Sequence, residues 1–291
     1  MGNIIETLFN GLSAGGNYAM IALGYTMVYG IAKMLNFAHG DIIMVGGYTI
    51  YVFVAANYNS IVALLCAILV CTVLGVIVER FAYRPLRGAS PLAVLITAIG
   101  VSYLLQSVAQ MSFGAETKKF YIDDFGFVNL FNIQINSKTI ITVICSAIIM
   151  VALSLFVKYT KTGRAMIAVS EDRGAAELMG ISVNKIIVIT FAIGSALAAL
   201  AGFFMMWKSP AIQSTSGALP GIKAFAAAVI GGIGSLPGAM LGGILMGVIE
   251  AYCNSVEGLM NYTDAIVFAV LIIILLVRPS GLLGKKRREK V

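Results

Sequence analysis

The residues that could carry out catalysis are few, and their spacing argues against it. Residues 11–15 (GLSAG) fit the GxSxG pattern around Ser13, and His39 is the single histidine. A nucleophile elbow needs a sharp turn between a strand and a helix, whereas Ser13 stands in an apolar run typical of a helix. We therefore favour a surface of small residues, Gly11 and Gly15, along which helices pack closely. An intramembrane hydrolase that uses Ser13 and His39 stays open as an alternative.

Neither a nucleotide site nor a metal site is indicated. A P-loop reads GxxxxGK[ST], because its backbone N–H groups cradle phosphates and its lysine reaches them. The pair Gly284-Lys285 is followed by Lys286 instead. One histidine and four cysteines without CxxC spacing leave no zinc motif. The sequence predicts a protein that is not an enzyme and has no cofactor of its own. ATP-driven action would require a separate ATPase chain.

Uncharged polar side chains recur at helical spacing within two apolar runs. Residues three or four apart share a helix face, and burying polar groups in lipid costs free energy. We expect both faces to point into a bundle or a water-filled path for a neutral or zwitterionic solute; interhelical hydrogen bonding is the alternative. The faces consist of Asn10, Ser13 and Asn17, and of Ser102, Gln106 and Gln110.

Two segments rich in glycine interrupt the apolar pattern, NFAHGDIIMVGGY (36–48) and VIGGIGSLPGAMLGG (229–243). Broken apolar segments in both halves of a transporter point to its solute region. Asp41 also suits the positive end of the second helix, at the membrane edge, and we favour that local role over contact with solute. The candidate path or gating residues here are Asn36, His39, Asp41, Gly231, Gly232, Ser235, Pro237 and Gly238.

A polar stretch, GRAMIAVSEDRGAAELMGIS (163–182), stands in the middle of the hydrophobic chain. Ser170 suits the N-cap of a helix over 170–180, and Gly180 suits its C′ position. Ala175, Leu178 and Met179 form a short apolar edge. Because so short a helix is marginal alone in water, we expect it to need a partner surface. A solvated connecting loop is the alternative.

The composition determines which elements position these residues. The 291 residues are 59% hydrophobic and 11% charged, with a mean hydropathy of +0.95. These values exclude an ordinary soluble domain, and apolar runs of about 20 residues predict membrane-spanning helices. We predict one domain over 1–291, an all-α polytopic bundle of about eight spans. They lie at 7–30, 42–58, 60–80, 91–112, 139–157, 186–207 and 264–278, with a broken hairpin at 223–250.

Basic residues indicate the orientation. With the N-terminus outside and the C-terminus inside, four regions lie inside: 31–41, 80–90, 158–185 and 278–291. They hold 15 of the 20 lysines and arginines. Because cytoplasmic loops carry the basic excess, the tail KKRREK (285–290) and the loop 158–185 are predicted to be cytoplasmic. The largest outer loop spans 113–138 and contains Asp123 and Asp124.

Four segments, in order along the chain, resemble permeases of the branched-chain amino acid ABC transporter family. They are NFAHGDIIMVGGY, GRAMIAVSEDRGAAELMGI, KAFAAAVIGGIGSLPGAMLGG (223–243) and RPSGLLG (278–284). The early NFAHGD run and short outer loops look more like the H-type subunit than its M-type partner. The resemblance implies that 158–185 is the cytoplasmic coupling loop. Its ATPase-contact positions match Glu171, Asp172, Ala175, Ala176 and Gly180, with Arg173 and Leu178 on the same helix.

The resemblance also implies a multi-pass importer subunit of the bacterial cytoplasmic (inner) membrane. In this family two permeases form the pore, and two cytoplasmic ATPases bind ATP and Mg²⁺. A periplasmic or lipid-anchored binding protein delivers the amino acid. A paralogous second permease is favoured, and no nucleic acid is expected as a partner. Permeases of similar sequence carry urea, short amides or other amino acids, so these solutes and a stand-alone secondary carrier remain alternatives.

Overall fold

Long helices account for most of the chain. The computed structural model describes residues 2–122, 126–130 and 133–284; the predicted basic tail and the two outer aspartates lie outside these ranges. In chain order the α-helices are α1 (Gly2–Ala32), α2 (His39–Ala55), α3 (Ser60–Val78), α4 (Pro91–Phe113), α5 (Ser137–Tyr159), α6 (Lys161–Glu171), α7 (Arg173–Leu178), α8 (Val183–Lys208), α9 (Ala218–Gly231), α10 (Leu236–Ser255) and α11 (Thr263–Val277).

Local capping explains where several helices begin. The Asn59 side chain accepts a hydrogen bond of 2.9 Å from the backbone N–H of Ile61 at the start of α3. The Asn136 side chain does the same for Lys138 at the start of α5, also at 2.9 Å. Each bond satisfies an N–H group that has no partner within its own helix.

Short strands depart from the purely helical prediction. Within the predicted outer loop 113–138, β2 (Phe127–Leu130) and β3 (Ile133–Asn136) form an antiparallel hairpin. β1 (Lys118–Lys119) pairs antiparallel with β4 (Ala211–Ile212), which follows α8. These pairings give hydrogen-bond partners to backbone groups outside the helices. The β1–β4 pairing joins the segment before α5 to the segment after α8.

Six helical segments in the described part of the chain are long and apolar enough to cross a membrane. They are Ser60–Leu86, Pro91–Phe113, Ser137–Tyr159, Val183–Lys208, Leu236–Ser255 and Met260–Val277. α2 and α9 are apolar but shorter, at 17 and 14 residues. α1 is long but is not among the six, since glycines and polar residues lower its hydropathy. The protein is an all-α polytopic bundle in its main architecture, as predicted.

α1 is the central helix and packs against α5, α8, α9 and α10. A Cβ atom added to Gly247 of α10 would lie 2.0 Å from the backbone N of Gly15, and one added to Gly11 would lie 2.9 Å from Val248 Cα. Contacts this close are possible only because Gly11, Gly15 and Gly247 have no Cβ atom. The small-residue packing surface predicted for Gly11 and Gly15 is therefore confirmed.

α2 begins inside the bundle, not at the end of α1. Residues 33–38 turn back along α1 and place His39 beside Gly24. A Cβ atom added to Gly24 would lie only 2.4 Å from His39 Nε2. Gly24 precedes the end of α1 by eight residues, which is about 12 Å of helix. α2 therefore covers 39–55 and not the predicted 42–58. His39 and Asp41 are buried in the interior of the bundle.

α9 begins beside the start of α2. A Cβ atom on Gly217 would fall 1.9 Å from the carbonyl oxygen of Gly40, and one on Gly221 would fall 2.9 Å from Gly40 Cα. The N-terminal ends of two short helices thus meet within the bundle. Irregular backbone at such depth is tolerated where protein surrounds it or a water-filled cavity borders it.

The predicted hairpin over 223–250 is confirmed as two helices joined by a turn. α9 ends at Gly231 and α10 begins at Leu236. Gly232 has φ of +105° in the turn, a conformation open to glycine and strained for other residues.

Loops predicted to lie on one side of a membrane share one end of the bundle. Arg173 of α7 donates to the carbonyl oxygen of Ile31 at the end of α1, at 3.0 Å. Arg87, between α3 and α4, donates to the Asn184 side chain at the start of α8. The grouping of basic loops inferred from the sequence therefore agrees with the arrangement of the helices.

Candidate functional site

The polar stretch forms two helices, and the predicted single helix over 170–180 is wrong. α6 ends at Glu171, and Asp172 adopts extended backbone angles of φ −150° and ψ 113°. The Asp172 side chain then caps α7 by accepting a hydrogen bond of 3.0 Å from Ala175 N. Ser170 is not the cap, because it lies within α6 and its hydroxyl donates to the carbonyl oxygen of Ile167 at 2.7 Å.

The end of α7 agrees with the prediction. Gly180 has φ of +80°, and its N–H donates to the carbonyl oxygen of Glu177 at 2.9 Å. Ile181 N donates to the carbonyl oxygen of Ala176 at 3.0 Å. A glycine in the left-handed region, with bonds closing over the last turn, is a common helix terminator. The assignment of Gly180 to C′ is confirmed.

α7 presents large apolar side chains on its exposed side. Leu178 is 90% exposed and Met179 is 82% exposed, whereas Ala176 is buried against the rest of the chain. Ala175 and the acidic residues Glu171, Asp172 and Glu177 are also exposed. An apolar pair rimmed by charges is typical of an interaction site rather than of a solvated loop.

The Arg173 side chain points towards the end of α1, whereas the neighbouring side chains on α7 are exposed. Its Nη2 donates to the carbonyl oxygens of Ile31 and Ala32, the last residues of α1. A guanidinium suits a helix C-terminus because the carbonyl groups there carry partial negative charge. Burial, and then the nearby Arg87, lowers the pKa of Arg173, although a guanidinium keeps its proton in proteins. α7 is thereby attached to α1.

A polar cluster in the interior joins α2 to α4. Asp41 is buried in the first turn of α2. The Gln106 side chain donates from Nε2 to Asp41 Oδ1 at 2.8 Å and to Ser102 Oγ at 3.2 Å. Asp41 lies in the first turn of α2, at the positive end of the helix as predicted, although Ala38 and not Asp41 occupies the N-cap position. Within the described ranges, no lysine or arginine lies within salt-bridge distance of Asp41.

The two predicted polar faces are not brought together. Gln110, predicted to line the same path as Gln106, is exposed on the outside of α4. Asn10 lies near the start of α1 and accepts hydrogen bonds of 3.4 Å from Lys208 and Thr139. Asn17 is buried, and its Oδ1 has no partner in the described structure. Only Ser102 and Gln106 reach Asp41.

His39 and Asn36 are buried around the start of α2. The ring of His39 lies 4.8 Å from that of Tyr25 in an edge-to-face arrangement, and Asn36 Oδ1 accepts a hydrogen bond of 2.8 Å from the Tyr83 hydroxyl. These contacts fix the segment that leads into α2. Ser13 does not pair with His39. His39 packs beside Gly24 of α1, and Ser13 lies eleven residues earlier on that helix, which is about 16 Å away along its axis. The structure thus disfavours a Ser–His dyad.

The candidate residues between α9 and α10 build the turn itself. Ser235 caps α10 by accepting a hydrogen bond of 3.2 Å from Gly238 N, and Pro237 occupies its first turn. A Cβ atom on Gly231 would fall 1.9 Å from the Gly238 carbonyl oxygen. The backbone of Gly231 also accepts from the N–H of residue 283 after α11. These residues, with Gly232, lie apart from the Asp41 cluster and fix the hairpin against the following segment.

The sequence analysis did not predict an ion cluster that lies near the end of the bundle opposite α7. Lys223 Nζ of α9 lies 2.9 Å from Glu250 Oε1 of α10 and 2.7 Å from Asp264 Oδ1 of α11. A lysine inside the apolar run of α9 was the available signal, since a buried charge needs partners. Those partners are distant in sequence, so only the packing of the three helices identifies them. No group of metal-binding residues occurs within the described ranges.

Comparison with known proteins identifies relatives along nearly the whole chain. A family model described as branched-chain amino acid transport system / permease component matches residues 7–275. The chain is 41% identical over 303 residues to the high-affinity branched-chain amino acid transport system permease protein BraD of Pseudomonas aeruginosa, covering 99% of this chain and 98% of that protein. LivH of Escherichia coli, which carries the same description, is 39% identical over 308 residues, with coverages of 99% and 97%.

More distant relatives extend beyond amino acid transport. The ribose import permease protein RbsC of Escherichia coli is 26% identical over 280 residues, with coverages of 93% and 84%. A solved structure, PsaBC from Streptococcus pneumoniae in complex with Fab, is 17% identical, with coverages of 96% and 91% and a TM-score of 0.46.

Proposed function

This chain belongs to the family of branched-chain amino acid transport permeases, and we propose that it is the membrane-spanning subunit of an ATP-driven importer for those amino acids. In this proposal it forms the pore with a second permease, favoured to be a paralogue. Two separate ATPases bind ATP and Mg²⁺ and drive transport. A periplasmic or lipid-anchored binding protein delivers the solute. The complex resides in the bacterial cytoplasmic membrane. The descriptions of BraD and LivH support the solute class.

One observation carries the proposal furthest: α7 combines an exposed apolar pair with an internal attachment to α1. Leu178 and Met179 are the surface on which an ATPase would dock, and Arg173 transmits its movement to the end of α1. From there residues 33–38 lead directly to Asp41 at the start of α2. Packed elements that can adopt two arrangements are one way in which remote sites are coupled, and we propose the connection from α7 through α1 to α2 as that element.

The transport proposal is tested by uptake into proteoliposomes that contain this chain, its partner permease, the ATPases and the binding protein. We expect leucine, isoleucine and valine to enter only when ATP is supplied to the ATPase side. Ribose and urea should neither enter nor compete. Uptake driven by an ion gradient without ATPases would instead support a secondary carrier, and preferential uptake of ribose or urea would overturn the solute assignment.

We further propose an orientation for the bundle. Seven crossing helices (α1, α2, α3, α4, α5, α8 and α11) and the α9–α10 hairpin place the N-terminus outside and the C-terminus inside. The end that holds α6 and α7 is then cytoplasmic. The excess of basic residues in the loops at this end supports the assignment.

Cysteine labelling tests the orientation. In a chain whose four native cysteines are replaced, Tyr58→Cys reports on the turn between α2 and α3, and Glu177→Cys reports on α7. Both positions are exposed. In intact cells we expect a membrane-impermeant maleimide to label Tyr58→Cys, and to reach Glu177→Cys only after permeabilisation. The reverse pattern would overturn both the orientation and the docking surface.

A further inference from the structure

A cavity of about 550 Å³ lies between the end of α1, the loop before α4, and α7. Its wall includes three basic residues, Lys33, Arg87 and Arg173, and none of the described residues that line it is acidic. Arg87 forms an ion pair with the fully buried Glu79, behind the wall. Arg173 also donates to the carbonyl oxygens at the end of α1. Among the described residues, three cations against the one carboxylate of Glu79 leave the wall with a net positive charge.

The beginning of α4 adds to this potential. Gly88, Ala89 and Pro91, which lead into α4 or begin it, line the same cavity. α4 is 23 residues long, and the N–H groups at a helix N-terminus carry partial positive charge. Basic side chains and a helix N-terminus converging on one space favour an anion.

An apolar stripe continues from the cavity along α4. Leu92, Ile96, Ile99 and Tyr103 follow each other at helical spacing on one face and are 63%, 61%, 43% and 66% exposed. Leu92 belongs to both the stripe and the cavity wall. From Leu92 to Tyr103 the helix rises about 16 Å, which is close to half of the roughly 30 Å hydrocarbon core of a bilayer.

We propose that this cavity binds the anionic headgroup of a membrane phospholipid whose acyl chains lie along the Leu92–Tyr103 stripe. The phosphodiester oxygens accept hydrogen bonds from basic side chains, as in other basic pockets between membrane helices. A zwitterionic amino acid fits less well, because no described lining residue offers a carboxylate to its ammonium group. A bound lipid would connect α4 to α1 and α7, beside the coupling segment.

The test is lipid retention by the full chain. The protein is purified from bilayers of phosphatidylglycerol or phosphatidylcholine with identical acyl chains, and bound lipid is measured by native mass spectrometry over a range of lipid concentrations. We expect phosphatidylglycerol to be retained in preference. Lys33→Gln should weaken its binding about fivefold, the effect of one basic residue at a membrane surface. Ala89→Trp, which fills the cavity without changing charge, should weaken it at least as much.

Arg84→Gln is the matched control, since Arg84 is basic, exposed and close in sequence but does not line the cavity. Unchanged retention in this variant would support the site. Equal loss in Arg84→Gln would overturn the proposal, as would equal retention of the two lipids or unimpaired binding in Ala89→Trp. Thermal stabilisation by inorganic phosphate, without phosphatidylglycerol, would assign the cavity to a free anion and contradict a lipid site.

Discussion

Replacing Leu178 or Met179 with aspartate is expected to abolish ATP-driven uptake while leaving the chain in the membrane. Both side chains are almost fully exposed on α7, so neither change removes an internal contact. Burying a leucine contributes about 1.5–3 kcal/mol, and a carboxylate placed in an apolar interface adds a desolvation cost. ATPase binding should therefore weaken by roughly 10- to 100-fold for each variant. Co-purification of the ATPases and ATP-dependent leucine uptake measure the effect.

Met260→Asp provides the matched control, because Met260 is also an exposed methionine, 66% accessible, but follows α10 at the opposite end of the bundle. Its ATPase binding should equal that of the unmodified chain. If the α7 variants bind the ATPases and transport normally, α7 is not the docking surface. If Met260→Asp loses ATPase binding to the same degree, the effect is a general one on the fold.

Asp41→Asn is expected to reduce transport by roughly 10- to 100-fold, which corresponds to the 1.5–3 kcal/mol of a hydrogen bond to a charged group. Asparagine keeps the size of the side chain and an acceptor for Gln106, so the change removes mainly the charge. An ionisable residue within a membrane bundle is costly and marks a functional pathway by default. Its carboxylate faces Ser102 and Gln106. The expected loss supposes that this carboxylate meets the ammonium group of a passing amino acid, instead of the purely local role that the sequence favoured.

The kinetics of leucine uptake in the reconstituted importer measure this loss, with ATPase binding as the check that the complex still assembles. Gln106→Leu removes the amide that holds Asp41 and should give a smaller decrease. Gln110→Leu is the matched control on the same helix, where the side chain is exposed and makes no contact with Asp41. Normal uptake by Asp41→Asn would exclude the carboxylate from solute recognition and leave it a structural role at the start of α2.

Local patterns in the sequence identified the features that depend on neighbouring residues. Apolar runs predicted the helices, because a backbone in lipid must satisfy its own hydrogen bonds. The glycines at 11 and 15 predicted close packing, and the break after Gly231 predicted a hairpin. Gly180 ended α7 as expected, since few residues adopt a positive φ without strain. The assignment of Ser170 as the N-cap was wrong. Asp172 directly precedes α7, and its carboxylate accepts the hydrogen bond from Ala175 N.

Tertiary structure decided what joins distant positions. Gln106 and not Gln110 contacts Asp41, and Arg173 bonds to the end of α1. Lys223 forms ion pairs with Glu250 and Asp264. The start of α2 inside the bundle also depends on packing, because His39, the first residue of α2, packs against Gly24 of α1. Hydropathy and spacing determine which segments enter a membrane. The faces that meet there depend on small-residue contacts and buried polar bonds between helices, which no local pattern encodes.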